Sequence, residues 1–381
     1  MNFILYIFII AALYQILYYG SLFGKLAFFP KENPEIADSE LPPVSVIICA
    51  RNEAQNLKEH IPHIANQIYP NEFEIIIVND RSNDTSSDII ESFRDMYPYI
   101  KSVVVTENEK ILLEGKKHAL AKGIENAKYE HLVLTDADCR PSTSDWLRAI
   151  ASKFTDSTQI VIGYSPYEKK NGILNSIIQY ETFMTGLHYL SHFEWNIPYM
   201  GTGRNISYKK KVYYEFGGFK KIGHIQSGDD DLFICNVATG KNTNICINHE
   251  AHCISKPPLK WGEWINQKQR HLSTAKYYKP LHKLTLGAYS ATHFLYYFSL
   301  FFCCFFELGL IFVPMIALTK LTIQYVIFFK MRKVLNAPIN VLQLFLIDAT
   351  FVFYYVVFGI FFNPRKTVLW KRNNYCGSED G

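Results

Sequence analysis

Four apolar β-type runs recur at an even spacing, and this spacing constrains the fold more than any other feature. The runs are VSVIICA, FEIIIVND, SVVVTEN and HLVLTDAD, and each begins 29 residues after the one before, starting at Val44. Helix-type stretches lie between them: AQNLKEHIPHIANQ, DTSSDIIESFRDM and KKHALAKGIENAK. Continuous apolar strands that alternate with helices are typical of a parallel sheet with helices on both faces. The sequence therefore predicts an α/β domain.

Polar residues follow these runs where the predicted strands end. The first run ends in ARNE (50–53), the second in NDRSND (79–84) and the fourth in TDAD (135–138). Ligands of open α/β sheets bind outside the carboxyl ends of the strands, so these segments predict the site. Neither GxGxxG after the first strand nor GxxxxGK[ST] occurs, which argues against a dinucleotide fold or a P-loop.

The fourth run ends in two aspartates, Asp136 and Asp138. Alternation along an extended chain directs both carboxylates to the same side. Two such carboxylates repel each other unless a cation lies between them, and oxygen ligands favour Mg²⁺ or Mn²⁺. The alternative is that the segment merely ends the strand and caps the following helix. The two aspartates alone leave both readings open.

A second acidic cluster, SGDDDLF, contains Asp229, Asp230 and Asp231. The dipole of a helix that begins here explains one of these carboxylates. Three adjacent carboxylates repel one another, so at least one is predicted to be functional. Such a carboxylate can act as the general base for a hydroxyl nucleophile.

The stretch WGEWINQKQRHLSTAKYY predicts a helix with two distinct faces. Its apolar positions approximate one face, which resembles an interfacial helix lying against a bilayer. On the other face Gln267 and Arg270 are three residues apart and can reach one ligand. The planar guanidinium of arginine suits a diphosphate. A basic helix that lies on the membrane without a catalytic role explains Lys268 and Arg270 equally well.

Apolar segments at both ends of the chain predict membrane spans. Residues 1–24 are long enough for an anchor, because a spanning helix needs about 20 residues, and they lack the basic start of a signal peptide. Residues 286–328 predict one long span or a hairpin with Glu307 near its turn. Residues 341–362 predict a further span, in which Asp348 must face protein or a cavity. The C-terminal region, 286–381, thus holds two or three spans and a basic tail.

The charge distribution favours a membrane protein over a nucleic-acid-binding one. The net charge is only +4, and no RNA-binding motif or zinc-finger spacing is present, so no nucleic-acid partner is expected. Lysines and arginines cluster beside the apolar segments, with Lys25 directly after the first. This pattern predicts a multi-pass protein of the cell membrane, in contact with its lipids, with the catalytic domain on the cytoplasmic face. That domain is expected over residues 40–280, including an interfacial helix at 259–280.

Seven segments, in this order, resemble the membrane-bound family-2 glycosyltransferases of the GT-A fold. They are VSVIICARNEAQNL, IIIVNDRSNDTS, GKKHAL, TDAD, GTGRNISYKK, SGDDDLF and QKQRH, and they cover roughly Val44 to His271. The resemblance implies a metal-assisted, inverting transfer of a hexosyl or N-acetylhexosaminyl group. The donor would be a nucleotide-diphosphate sugar, with UDP as the expected nucleotide, and the acceptor a lipid-linked or membrane-proximal glycan of the cell envelope.

The resemblance also implies a role for each matching residue. On the donor side, Glu53 and Asp80 would bind the nucleotide base, and Lys116 would lie near the nucleotide. Asp136 would lie near the ribose or the sugar. Asp138 would bind the Mg²⁺ or Mn²⁺ ion, with Asp136 as a second metal ligand. The acceptor and leaving-group side would use Asp229 as general base, Asp230 as the alternative base, and Gln267 with Arg270 on the departing diphosphate.

The chain departs from the family pattern at several positions. Arg81 replaces a glycine of the second motif, and the third acidic motif begins with glycine instead of glutamate. His271 replaces the tryptophan of the last motif, which weakens the case for a processive polysaccharide synthase. A catalytically silent membrane protein that binds a nucleotide sugar is the other alternative. The presence of both Asp229 and Arg270 argues against it.

Overall fold

A seven-stranded sheet occupies the centre of the domain in the computed structural model, which describes residues 2–31, 34–106, 113–340, 345–352 and 354. The sheet has the strand order β3-β2-β1-β4-β7-β6-β8. Its strands are β1 (Val44–Ala50), β2 (Phe73–Asp80), β3 (Ile100–Val105), β4 (His131–Asp136), β6 (Ile160–Gly163), β7 (Ile206–Lys209) and β8 (Thr243–Cys246). A small second sheet pairs β5 (Cys139–Pro141) with β9 (Cys253–Ser255).

The sheet is mostly parallel, as the spacing predicts. Strands β3, β2, β1 and β4 pair in parallel, and β7 runs antiparallel to both β4 and β6. Strand β8 is parallel to β6, so β6 and β8 run in the direction of the first four strands. Ala50 pairs with Asn79, and Cys49 pairs with Asp136. The carboxyl ends of β1, β2 and β4 therefore meet at one edge.

Helices cover both faces of the sheet, which explains why β1 is buried along its whole length. Val46 and Ile48 pack on one face with α3 (Ala54–Ala65) and α4 (Ser86–Met96). Ile47 and Cys49 point to the other face, where α5 (Lys117–Asn126) packs. Side chains alternate along a strand, so a strand covered on both faces must be apolar throughout.

The later part of the domain supplies five further helices. They are α6 (Trp146–Ala151), α7 (Ile173–Glu194), α8 (Lys210–Phe216), α9 (Asp231–Val237) and α10 (Trp261–Leu272). The longest, α7, buries residues on most of its circumference, including Tyr180, Phe183 and Leu187. It packs against the sheet domain on one side and against the terminal helices on the other.

The terminal helices pack together beside this domain. At the N-terminus, α1 (Asn2–Leu17) continues through a π-helical turn (Tyr18–Phe23) into α2 (Gly24–Phe28). After the domain come α11 (Pro280–Phe305) and α12 (Phe312–Val334). Within the described residues, Asn2–Phe28 and Phe312–Val334 are long and apolar enough to cross a membrane.

Residues 286–328 form the predicted hairpin instead of one long span. Glu307 lies in its turn with a left-handed φ of 52°. Of the predicted last span, residues 345–352 are helical, while most of the remainder and the basic tail lie outside the described residues.

Asp348 faces protein, as its cost in lipid predicts. Its carboxylate accepts a 2.6 Å hydrogen bond from Tyr297 and pairs with the Lys320 ammonium at 3.3 Å. It also accepts a hydrogen bond from Tyr180 of α7. A buried charge needs a partner and further hydrogen bonds, and here these contacts join the terminal helices to α7.

Candidate active site

A cavity of about 1140 Å³ opens at the carboxyl edge of the sheet. Every predicted site residue except Asp80 lines it. These residues are Glu53, Lys116, Asp136, Asp138, Asp229, Asp230, Gln267 and Arg270. They come from loops after β1 and β4, from the start of α5, from the loop before α9 and from α10. The structure therefore brings segments more than 200 residues apart in sequence around one space.

Asp136 and Asp138 differ in their partners. The ammonium of Lys116 donates a hydrogen bond to Oδ1 of Asp136. Burial acts to raise the pKa of Asp136, but this ammonium outweighs it and holds the pKa below its ordinary value. Among the described residues, Asp138 receives only long contacts, from the Cys139 thiol at 3.3 Å and the Ser255 hydroxyl at 3.4 Å. Burial and the charges of Asp136 and Glu53 raise the pKa of Asp138.

The donor atoms at this point fit a divalent cation. One ligand atom from each of Asp136, Asp138 and Cys139 lies within 4.8 Å of the others. A cation would relieve the repulsion that raises the pKa of Asp138, and carboxylate oxygens suit Mg²⁺ or Mn²⁺. Asp138 is the better candidate ligand, because Asp136 already pairs with Lys116.

The three aspartates before α9 occupy three different environments. Asp230 caps α9: its carboxylate accepts 2.7 Å hydrogen bonds from the amides of Gly203 and Asp231. Asp231 is buried, and its carboxylate accepts from the hydroxyls of Thr274 and Tyr278. The carboxylate of Asp229 accepts no hydrogen bond from the part of the chain that the structure describes, and it borders the cavity.

This difference bears on the choice of general base. Burial, and then the charges of Asp229 and Asp231, raise the pKa of Asp230 to about 7. That value suits proton transfer near neutral pH. However, both oxygens of Asp230 already accept main-chain hydrogen bonds, one from Gly203 and one from Asp231. The geometry therefore favours Asp229, whose oxygens are available to a ligand.

Lys117 positions this acidic loop, and sequence reasoning missed it. The side chain is fully buried. Its ammonium donates hydrogen bonds to the main-chain carbonyls of Ile225 and, at 3.1 Å, Ser227. Burial lowers the pKa of Lys117, and the charges of Asp229, Asp230 and Asp231 act in the opposite direction. The second lysine of GKKHAL, next to the predicted Lys116, is the only sequence signal for this contact.

Helix α10 is held to α7 by a buried polar contact. Glu181 of α7 accepts a 3.2 Å hydrogen bond from the indole of Trp264 and pairs with the Lys268 ammonium at 2.8 Å. Trp264 and Lys268 therefore point into the protein, although the sequence pattern assigns the first to a bilayer face and the second to a membrane-lying basic surface. Trp261 and Ile265 of the predicted apolar face are exposed.

Because α10 is held against α7 in this way, Gln267 and Arg270 of α10 line the cavity. The Gln267 amide donates a 3.0 Å hydrogen bond to the Tyr167 hydroxyl, and its Oε1 atom is buried without a partner among the described residues. Arg270 is half-buried and also lines the cavity. Both residues face the same space as Asp138, as the predicted leaving-group role requires.

Arg204 is a second lining residue that the sequence reasoning did not assign. It lies in GTGRN, just before β7, and its guanidinium stacks 4.2 Å from the ring centre of Tyr167. Its Nη1 atom is buried and has no hydrogen-bond partner in the described ranges. The guanidinium favours the ionised forms of Asp136 and Asp138. A charged residue beside a Gly-rich turn was the available signal.

Asp80 does not reach the cavity in this structure. Its side chain is fully buried, and Oδ1 accepts a 2.7 Å hydrogen bond from Nε of Arg81. Arg81 has a left-handed φ of 54°, and stands where the family motif has glycine. The backbone conformation that glycine adopts without strain is thus preserved, while the new side chain pairs with Asp80. The predicted contact of Asp80 with the base stays a prediction.

The fold and this arrangement can be compared with known proteins. Residues 45–219 match the family described as glycosyl transferase family 2. This segment is a family 2 glycosyltransferase domain. It contains the loop after β1, the aspartates after β4 and the GTGRN segment, whereas Asp229 and the α10 residues follow it in sequence.

Curated relatives support the family but extend well beyond the aligned segments. The chain is 24% identical over 235 residues to a probable glycosyltransferase, YdaM, of Bacillus subtilis, and this match covers 61% of this chain and 54% of that protein. A Staphylococcus epidermidis poly-β-1,6-N-acetyl-D-glucosamine synthase is 31% identical over 144 residues, covering 36% of this chain and 32% of that protein. The chain thus spans about half or less of the length of these relatives.

A solved structure shares the fold over most of the chain. The mannosyltransferase PcManGT from Pyrobaculum calidifontis, solved with GDP-mannose and Mn²⁺, superposes with a TM-score of 0.56 at 18% identity. The match covers 90% of this chain and 98% of that one. The GT-A fold expected from the sequence is therefore confirmed.

Proposed function

We propose that this protein is an inverting glycosyltransferase. It transfers a hexosyl or N-acetylhexosaminyl group from a nucleotide-diphosphate sugar to a hydroxyl of a lipid-linked or membrane-proximal glycan. The observation that carries the proposal is that the available carboxylate of Asp229, the acidic pair Asp136 and Asp138, and Arg270 border one cavity. A base, a metal site and a cation for the leaving group are the parts that the reaction needs.

In the proposed reaction Asp229 takes the proton of the acceptor hydroxyl. The acceptor oxygen forms a bond to the anomeric carbon of the sugar, on the face opposite the diphosphate. The bond from that carbon to the diphosphate oxygen breaks, and the nucleoside diphosphate leaves with the electron pair. Arg270 and Gln267 bind the leaving diphosphate, and Arg270 stabilises the charge that develops on it. Lys116 orients Asp136 through their hydrogen bond.

The divalent cation has a defined place in this scheme. Asp138, with Asp136 as the second ligand, would hold Mg²⁺ or Mn²⁺, which supplies positive charge to the donor diphosphate. PcManGT was solved with a GDP-linked sugar, so a donor screen must include GDP-sugars beside the expected UDP-sugars. Glu53 borders the same cavity and is proposed to contact the nucleoside.

We further propose that the protein is a multi-pass protein of the cell membrane. Two apolar helices of spanning length support this location. Lysines next to the apolar segments support a catalytic domain on the cytoplasmic face, where nucleotide sugars are made. A product that belongs to the cell-envelope polysaccharides would be consistent with the staphylococcal relative.

The test is release of nucleoside diphosphate by the full-length protein in detergent with Mn²⁺, across a panel of UDP- and GDP-sugars. The cognate donor should raise the unfolding midpoint, and at about 100 times its Kd it should add about 2.7 kcal/mol of stability. Asp138→Ala and Asp229→Asn should lose turnover. Asp156→Asn, an exposed aspartate on the domain surface, is the matched control.

The same experiment separates the alternatives. Full turnover by either variant refutes the assigned chemistry. If the protein binds a donor but releases no nucleoside diphosphate with any acceptor, it is a catalytically silent binding protein. Products of many lengths from a single encounter would indicate a processive synthase, whereas one added sugar supports the proposal.

A further inference from the structure

Glu181 is a buried carboxylate of α7 that borders the cavity and that the transfer chemistry does not use. Its Oε2 atom accepts a 3.2 Å hydrogen bond from the Trp264 indole and pairs with the Lys268 ammonium at 2.8 Å. Its Oε1 atom accepts a 3.2 Å hydrogen bond from the hydroxyl of Tyr354. Because both oxygens are engaged by side chains of the protein, Glu181 makes structural contacts and does not serve as a second base.

The partners of Glu181 come from two segments that are distant in sequence. Trp264 and Lys268 belong to α10 and, being four residues apart, lie on the same side of that helix. Tyr354 belongs to the C-terminal helical segment, which we define as residues 345–352 and 354. One carboxylate of α7 thus joins α10 to the C-terminal helical segment.

The C-terminal helical segment meets α7 and α10 along one face. Positions 348, 351 and 354 are three residues apart, which places them on one side of a helix. Asp348 accepts a hydrogen bond from Tyr180, and the ring centres of Phe351 and Tyr180 are 4.9 Å apart. The ring centres of Tyr354 and Trp264 are 6.0 Å apart. This face of the segment therefore packs across the junction of α7 and α10.

Helix α10 has its position set at this junction. Trp264 and Lys268 are the two buried residues of α10, and both contact Glu181. Gln267 directly precedes Lys268 in the chain, Arg270 follows it by two residues, and both line the cavity. A shift of α10 at the Glu181 contact would therefore move Gln267 and Arg270 together.

Burial makes the contact between Glu181 and Lys268 a strong constraint. Both residues are buried, and a charge removed from water needs an opposite charge and further hydrogen bonds. The ammonium of Lys268 therefore cannot leave the carboxylate without losing its partner. The hydroxyl of Tyr354 bonds the other oxygen of the same carboxylate, which fixes the orientation of the group.

We propose that Glu181 and Tyr354 are positioning residues for Gln267 and Arg270, and that the C-terminal helical segment is thereby part of the active site. The Tyr354 hydroxyl orients the carboxylate of Glu181, and this carboxylate fixes the two buried side chains of α10. Helix α10 in turn holds its cavity-lining side chains against the diphosphate. This last step rests on the proposed function, whereas the fixing of α10 does not.

The first measurement is hydrogen–deuterium exchange of the full-length protein in detergent. Glu181→Gln should speed exchange of the α10 amides by about tenfold or more, because Lys268 loses its anionic partner and exchange follows the free energy of local opening. Tyr354→Phe removes one hydroxyl and should speed this exchange by about two- to tenfold. Exchange in β1 should stay slow in both variants, which shows that the sheet is folded.

Each variant has a matched control. Glu125→Gln removes a carboxylate from the exposed side of α5, and Tyr325→Phe removes a hydroxyl from an exposed position of α12. Neither should change exchange in α10. If α10 exchanges at the wild-type rate in both Glu181→Gln and Tyr354→Phe, the proposal is overturned.

The second measurement is a cycle of substitutions read as the Kd of UDP and GDP, which a mere loss of stability would not reproduce. Gln267→Ala combined with Arg270→Gln should weaken binding by about 10- to 100-fold, and Glu181→Gln alone by about tenfold. Adding Glu181→Gln to the first combination should have little further effect, because residues that act through the same contact are not additive. If the losses multiply instead, Glu181 does not act through Gln267 and Arg270. Tyr354→Phe keeps every charge, and the same cycle with it tests the proposal should Glu181→Gln not fold.

The two measurements together separate this inference from the proposed function. Suppose α10 exchanges normally in both variants while loss of Gln267 and Arg270 weakens nucleotide binding. The leaving-group assignment then stands, and the positioning roles of Glu181 and Tyr354 are refuted. If α10 loosens but loss of Gln267 and Arg270 leaves the affinity for UDP and GDP unchanged, the leaving-group assignment is refuted and the fixing of α10 stands.

Discussion

The ammonium of Lys117 donates a 3.1 Å hydrogen bond to the main-chain carbonyl of Ser227, two residues before Asp229. The same ammonium donates to the carbonyl of Ile225. A fully buried lysine thus joins the start of α5 to the loop that carries the candidate base. Because a buried ammonium without partners is costly, these carbonyls and the nearby carboxylates hold Lys117 and the loop in a fixed relation.

We predict that Lys117→Leu separates donor binding from catalysis. Without the ammonium the loop is free to shift, and a misplacement of about 1 Å can lower a rate by about 10²-fold. The Kd for nucleoside diphosphate should stay unchanged. Loss of a positive charge beside three carboxylates should also move the acidic limb of the pH–rate profile to higher pH. Steady-state kinetics across pH measure both effects.

The control for this prediction is Lys128→Leu. Lys128 is largely exposed and pairs with Glu72 at the surface, where an ion pair contributes about 0–1 kcal/mol. If Lys117→Leu retains the wild-type rate and pH profile, the ammonium does not position the loop.

The adjacent residues Asp229 and Asp230 should respond differently to substitution. Asp229→Asn should lower the transfer rate by about 10²–10⁴-fold, the usual contribution of a general base, and leave the unfolding midpoint unchanged. Asp230→Ala removes the cap of α9, and loss of such a cap costs about 0.5–2 kcal/mol of stability. Thermal unfolding and single-turnover kinetics distinguish these effects. If Asp229→Asn is active while Asp230→Ala is stable but inactive, Asp230 and not Asp229 is the general base.

Asp230 should also make stability depend on pH. Its pKa is about 7 in the folded protein, against an ordinary value of 3.8. The folded state therefore holds the proton more tightly than the unfolded state, so stability is greatest below the ordinary pKa and falls as pH rises towards 7. Asp229, Asp231 and Lys117 lie beside the same carboxylate, and all three are present in both the wild type and the variant described next.

The measurement is the unfolding midpoint at several values from about pH 5 to about pH 8, where this linkage applies. Asp230→Asn cannot lose a proton, and asparagine is a good helix cap. Its midpoint should fall less across this interval than that of the wild type. Parallel curves for the two proteins would mean that Asp230 is already ionised at the lower end.

The sequence predicts those parts of the fold that local patterns encode. Strands β1 to β4 are predicted because four long apolar runs alternate with helical stretches. Strands β6 and β8 have four residues each and pair with each other across a long insertion that contains α7, α8 and α9. No local pattern marks such a partner, so these strands were not predicted.

In the candidate site too, features that a local motif encodes are predicted, whereas contacts between distant segments are not. Aspartates at strand ends were predicted to face a cavity, and Asp136 and Asp138 do. Trp264 and Lys268 were assigned to a membrane surface, since their buried partner Glu181 is distant in sequence. Asp80 follows its motif, but the neighbouring Arg81 pairs with it. Side chains whose partners come from distant segments are those that a single sequence does not resolve.

Arg204 provides the last prediction, because its buried Nη1 atom has no partner in the described structure and its guanidinium lines the cavity near Asp136 and Asp138. A diphosphate would supply the missing acceptor. Arg204→Gln should weaken UDP or GDP binding by about 10- to 100-fold, since a hydrogen bond to a charged group contributes about 1.5–3 kcal/mol. Affinity for the uncharged nucleoside should not change. Titration calorimetry with nucleoside and nucleoside diphosphate tests both points.

Arg204→Lys should not restore this affinity. Lysine keeps the charge, but it lacks the planar fork that binds two phosphate oxygens and that stacks on the ring of Tyr167. Arg148→Gln is the control, because Arg148 is half-exposed and pairs with Asp38 on the surface. If lysine fully restores the affinity for nucleoside diphosphate, Arg204 contributes only its positive charge. Wild-type affinity in Arg204→Gln would show that its guanidinium only packs against Tyr167 and does not contact the diphosphate.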